Sequence, residues 1–62
     1  MLKQILRTKG IKQKWLATKV GVSEVTVSNW IQEKTAPKTE HLEKLSALLE
    51  VPLAQLEQTY GK

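Results

Sequence analysis

GVSEVTVSNWIQEK, residues 21–34, decides how this chain folds. Val25, Thr26, Val27 and Ile31 are branched at Cβ and lose side-chain freedom in a helix, yet the apolar spacing around them is helical. Ser23 stands where a hydroxyl can accept from the unpaired amides of a first helical turn. Val22 before that cap and Val27 after it have the spacing of a hydrophobic staple. The start is therefore specified twice, and the segment predicts a helix over about 24–33 in spite of its weak helix formers.

The two sides of that helix differ in chemistry. At about 100° per residue, Val27, Trp30 and Ile31 gather on one side, and Val25, Ser28, Asn29 and Gln32 gather on the other. The second set is short and mixed, and long charged side chains are missing from its first two turns apart from Glu24. Short groups let a helix sit deep in a slot, and the major groove of duplex DNA is wide enough to admit one.

Working outward, Leu16, Ala17 and Val20 mark a helix from about Lys12 to Val20. Gly21 follows it and can take a positive φ without a Cβ clash, while the small Ala17 allows close helix approach. Two helices joined by so tight a bend make a helix-turn-helix. Leu2, Ile5 and Leu6 mark an earlier helix that stops at Gly10. Residues 34–38 read as a loop because Pro37 disfavours helical geometry at Ala36. Thr39 is expected to cap a fourth helix, with Glu40 and Glu43 near its positive end and Leu42, Leu45, Leu48 and Leu49 on its buried stripe. Pro52 is expected to open a fifth, with Leu53 and Leu56 inward and Tyr60, Gly61 and Lys62 fraying. The expectation is an all-α, five-helix fold in one domain over residues 1–62, with no internal repeat or low-complexity tract.

Charge narrows the class. The chain has ten Lys and Arg against six acidic residues, a net charge of +4 and a pI near 9.6. Residues 1–38 carry eight basic and two acidic side chains, whereas residues 39–62 carry two and four. A basic half of this kind is the footprint of a polyanion binder. There is no cysteine, so no disulfide forms, and one histidine makes no structural zinc site. Neither a cysteine nor an aspartate is available to catalysis, and no Gly-rich phosphate loop occurs. No cofactor or metal is expected, and the lack of an apolar run of membrane length or of a cleavable leader reads as cytoplasmic.

Several features recur together. A Gln opens the second helix (Gln13), followed by the pair Leu16-Ala17, the turn Gly21-Val22-Ser23, the run Thr26-Val27-Ser28-Asn29-Trp30 and a Lys34-x-x-Pro37 loop. With these, about residues 2–57 resemble the lambda-repressor and Cro-like (XRE-type) helix-turn-helix family of DNA-binding domains. The resemblance implies a small transcriptional regulator, a repressor of phage or mobile-element type, whose third helix lies in the major groove of double-stranded DNA.

Carried over by position, the resemblance implies that Glu24, Val25 and Asn29 reach base edges. Asn pairs bidentately with adenine, Glu accepts from the cytosine amino group and Val packs on a thymine methyl. Glu24 has a simpler alternative, since an acid at a helix amino end also interacts well with the dipole. Ser28 reaches a base edge or the sugar beside it. Gln13 grips a phosphate, with Lys12 and Lys14 beside it, Thr26 on the recognition helix and Lys34, Thr35 and Lys38 beyond it. Family members commonly bind two half-sites as a homodimer through their C-terminal helices, for which Leu53, Leu56 and Tyr60 are the candidates.

Three positions depart from the pattern. Many members pair an Arg in helix 1 with a Glu in helix 3, where this chain has Leu6 and Ile31; replacing a buried ion pair by packed hydrophobes can be neutral or stabilising. Lys12 stands where a Ser or Thr cap is common. Trp15 stands where a polar residue is usual and is expected to pack over helix 1. A rival function is a protein-interaction module, such as an antitoxin whose main partner is another protein; Trp15 and the acidic C-terminal half are the features it would use.

Overall fold

The computed structural model describes residues 2–60. Five helices run in order, α1 (Leu2–Lys9), α2 (Gln13–Val20), α3 (Glu24–Ile31), α4 (Thr39–Leu49) and α5 (Leu53–Tyr60), with no strand among the described residues. The five-helix, all-α expectation holds. None of these helices is long and apolar enough to cross a membrane.

One core unites them. Leu16, Val20, Val27, Leu45, Leu49 and Leu56 are buried to within 2% of completely, joined by Leu2, Leu6, Ala17, Trp30 and Leu42. Every helix contributes to this cluster, so no helix has its apolar stripe unsatisfied. Burying each Leu or Val contributes about 1.5–3 kcal/mol before the ordering entropy is subtracted. Leu6 is buried and Ile31 packs partly buried against the same cluster, so the family's charged pair is replaced by apolar surface on both sides. Trp30 also meets His41, in the first turn of α4, with ring centroids 5.4 Å apart at 43°.

Helix ends use one device four times. Gly10, Gly21, Glu33 and Glu50 all have positive φ (70°, 89°, 61° and 56°). After α1, Ile11 N donates to Leu6 O at 2.9 Å and Gly10 N to Arg7 O at 3.2 Å, which satisfies two carbonyls the helix leaves open. After α3 the same pattern recurs, Lys34 N to Asn29 O at 2.9 Å and Glu33 N to Trp30 O at 3.1 Å. This closure explains why α3 stops at Ile31, two residues before the expected Glu33, which has itself turned left-handed.

Other boundaries shift for equally local reasons. Thr39 is the first residue of α4, not its cap; Lys38 holds the extended cap geometry and makes no side-chain cap bond. Its carbonyl accepts from Leu42 N at 2.9 Å. Pro52 precedes α5, its carbonyl accepting from Gln55 N at 3.0 Å. Tyr60 is helical and half-buried where fraying was expected; Gly61 and Lys62 lie outside the described residues. Trp15, expected to pack over α1, keeps much of its ring open to solvent. It is 44% exposed, and the Lys19 ammonium lies 5.7 Å from its ring centre.

Candidate nucleic-acid interface

α2 and α3 pack on one another more closely than any other pair of helices. Their bend is set at Gly21, whose N–H donates to Ala17 O at 2.8 Å while Val22 N donates to the same oxygen at 3.0 Å. A Cβ on Gly21 would meet no atom within 4 Å, so the glycine is there for its backbone angle and not for lack of room. Ala17, 3% exposed, is buried in the core beneath the turn.

Ser23 then opens α3 as the sequence implied. Its backbone is extended (φ −78°, ψ 160°) and its hydroxyl oxygen accepts from Thr26 N at 3.2 Å. The Ser23 and Thr26 hydroxyls also share a hydrogen bond at 3.0 Å. Val27 is fully buried and Val22 packs against the same cluster, as the staple requires. These contacts fix the rotation of α3 about its axis, and hence which side chains face away from the core.

The outward face carries Glu24, Val25, Ser28, Asn29 and Gln32. Val25 is 69% exposed, an apolar side chain left largely open to solvent. Glu24 and Gln32 are exposed, and Ser28 and Asn29 are half-buried. Gln32 Nε2 donates to Ser28 Oγ at 3.0 Å, which ties two members of this face together one helical turn apart. This pairing was not foreseen, although the i, i+4 spacing of an amide and a hydroxyl was visible in the sequence.

Basic and polar groups stand at either end of the unit. Lys12 caps α2 with extended backbone (φ −88°, ψ 147°) and its side chain makes no bond to the first-turn amides, which stand at the positive end of the dipole. Gln13 and Lys14 follow it, both exposed. Beyond α3, Lys34, Thr35 and Lys38 are exposed on a loop whose Pro37 is buried. Thr26 is half-buried and its hydroxyl is engaged by Ser23.

The C-terminal candidates divide. Leu56 is 0% exposed and spent on the core, so it cannot serve as the dimer contact assigned to it; the inward expectation for the same residue is the one that holds. Leu53 is half-buried against the core. The Tyr60 hydroxyl donates to the Trp30 carbonyl at 2.8 Å. Burial, and then the Glu33 carboxylate, push its pKa from the ordinary 10.0 up to about 12. Sequence reasoning missed this bond, though Leu53, Leu56 and Tyr60 share one helical face and the core-facing side was already known from the first two.

Neither the comparison with curated proteins nor that with solved structures returns a match. A family model described as Helix-turn-helix matches residues 2–56, the span that holds α1 to α4 and the first turn of α5. With the glycine-closed bend, the capped third helix and this match in hand, the chain belongs to the lambda-repressor-like helix-turn-helix family of DNA-binding regulators.

Proposed function

We propose that the protein binds double-stranded DNA sequence-specifically, with α3 in the major groove, and acts as a small transcriptional repressor. The observation that carries this reading is the outward face of α3, where a largely exposed Val25 lies among Glu24, Ser28, Asn29 and Gln32. An apolar group among short donors and acceptors suits a base-pair edge, which offers a thymine methyl beside hydrogen-bonding atoms. Asn29 has the strongest case for a base, as a bidentate partner of adenine, with Glu24, Val25 and Ser28 beside it. Gln13, Lys12, Lys14, Thr26, Lys34, Thr35 and Lys38 supply phosphate contacts, which hold register and contribute most of the salt-dependent affinity.

Repression follows from occupancy, since a domain seated in the groove excludes other proteins from the same duplex. Two copies on half-sites one helical turn apart, about 34 Å, would double the reading frame, with Leu53 and the exposed part of Tyr60 at hand for the contact. Selection of bound duplexes from a random pool at fixed salt tests the whole reading. A recovered palindrome gives site, spacing and dimer together; an enrichment no better than chance removes it.

One observation favours a second reading. Trp15 is 44% exposed with Lys19 above it, and an exposed Trp is a frequent anchor of protein interfaces. A protein partner docking there, as for an antitoxin, would show binding almost indifferent to salt and lost on Trp15→Ala, whereas phosphate contacts weaken steeply as salt rises.

A further inference from the structure

The hydrogen bond from Tyr60 to Trp30 spans 30 residues and joins the last residue of α5 to the last turn of α3. The Trp30 carbonyl is one of those a helix leaves without an internal partner, and it is already used once, by Glu33 N. That amide belongs to the only kind of residue in the turn that resists its own geometry. Glu33 holds φ of 61°, where a side chain bearing Cβ is strained, and such residues persist only when their surroundings over-determine them. Immediately afterwards come Lys34, Thr35 and Lys38, the loop cations and hydroxyl assigned to phosphate.

The Tyr60 ring stands under that same loop. One cleft beside it is lined by Ala36, Pro37 and Lys38, and a second by Glu33, Lys34 and Thr35. The elevated pKa of the phenol comes from burial and then from the nearness of Glu33, which belongs to that loop's first turn. As a neutral donor it keeps the bond at ordinary pH.

We propose that Tyr60 is a positioning residue: its hydroxyl, through the Trp30 carbonyl, holds the left-handed turn at Glu33 and so aims Lys34 and Thr35 at the DNA backbone. The proposal rests on the DNA reading above. It couples the C-terminal helix, which reads no base, to the grip of the recognition helix. Loosening α5 would weaken phosphate contact without altering which sequence is preferred.

Tyr60→Phe isolates the effect, because the ring stays and only the donor is removed. Two measurements on the full chain decide it. In the free protein, amide exchange at Glu33 and Lys34 is expected to quicken about fivefold, the worth of one ordinary hydrogen bond, and by clearly more than at Leu45 and Leu49 in the core, which follow only the change in overall stability. On duplex recovered by selection, the variant is expected to bind several-fold more weakly with a salt slope lower by about one contact, and Lys34→Ala should cost less in the Phe background than in the wild type. Unchanged exchange in the loop overturns the proposal. So does a uniform quickening that includes the core, which marks a purely structural bond, and so does an unaltered salt slope. If the wild type binds no duplex, the DNA reading fails and the role in aiming fails with it, while the exchange measurement still tells whether the hydroxyl holds the loop.

Discussion

Ser23 accepts the Thr26 amide at 3.2 Å and shares a hydrogen bond with the Thr26 hydroxyl at 3.0 Å, so one side chain closes the first turn of α3 twice. Ser23→Ala removes both and is expected to cost about 1 kcal/mol. Ser23→Gly should cost only a few tenths, because glycine reaches the cap backbone readily. Urea denaturation checks the pair, with a lower midpoint and unchanged slope for the Ala variant. Equal midpoints for wild type and Ala variant would mean that the cap is idle.

Glu50 closes α4 with φ of 56°, and its N–H bonds to Ser46 O. Two forces oppose a glutamate there. The left-handed conformation costs a residue with Cβ about 1–2 kcal/mol, and an acid at a helix carboxyl end meets the negative pole of the dipole. Glycine removes both and adds back about 0.4–1 kcal/mol of unfolded-state entropy, so the balance favours glycine. Glu50→Gly is expected to stabilise the fold by about 1 kcal/mol, seen as a higher melting temperature. Gly21→Ala should do the reverse by about as much, its cost being purely conformational because a Cβ there meets nothing.

The helices and the core were legible because their cause is periodic. Leu16 and Val20, or Leu42, Leu45 and Leu49, repeat at helical spacing, and each of them is buried. Ser23 was legible because a cap needs only its own next turn. The misses share a different cause. Whether Leu56 is free for a partner and where Tyr60 sends its hydroxyl depend on helices distant in sequence, and the left-handed turn at Glu33 depends on which amides close α3. Thr39 lost the cap position to Lys38 by one residue, a shift that propensity alone does not resolve. Trp15 was assigned to packing by size, and it stays 44% exposed on α2. The outward chemistry of α3 was readable from the wheel; the Gln32–Ser28 bond that organises it emerged only once the helix existed.

Asn29 and Lys34 should separate reading from gripping. Asn29 is half-buried on the outward face, and Lys34 is exposed on the loop beyond it. Asn29→Ala is expected to cost about 1–3 kcal/mol on the selected site and to relax preference at one base pair. Lys34→Ala should weaken selected and random duplexes alike and lower the salt slope by about 1. Titrations of both variants against both duplexes at several salt concentrations give the answer, and identical loss patterns would cancel the division of labour.

Tyr60 is the single tyrosine of the chain, so tyrosinate absorbance reports on it alone. The midpoint of that titration is expected near 12, raised from 10.0 by burial and by Glu33. Between those values the unfolded chain gives up the phenolic proton and the folded chain keeps it, so folding holds the extra proton and stability falls as pH rises. The contribution is complete below pH 10 and is lost by the time pH passes 12. Because Tyr60 is half-buried, solvent screens part of the effect and the loss should be modest. Tyr60→Phe has no proton to lose, so the stability difference between wild type and variant should narrow above pH 10 and stay constant below it. A midpoint at the ordinary value, or a difference that does not change with pH, would show that the hydroxyl is open to water and not held at the Trp30 carbonyl.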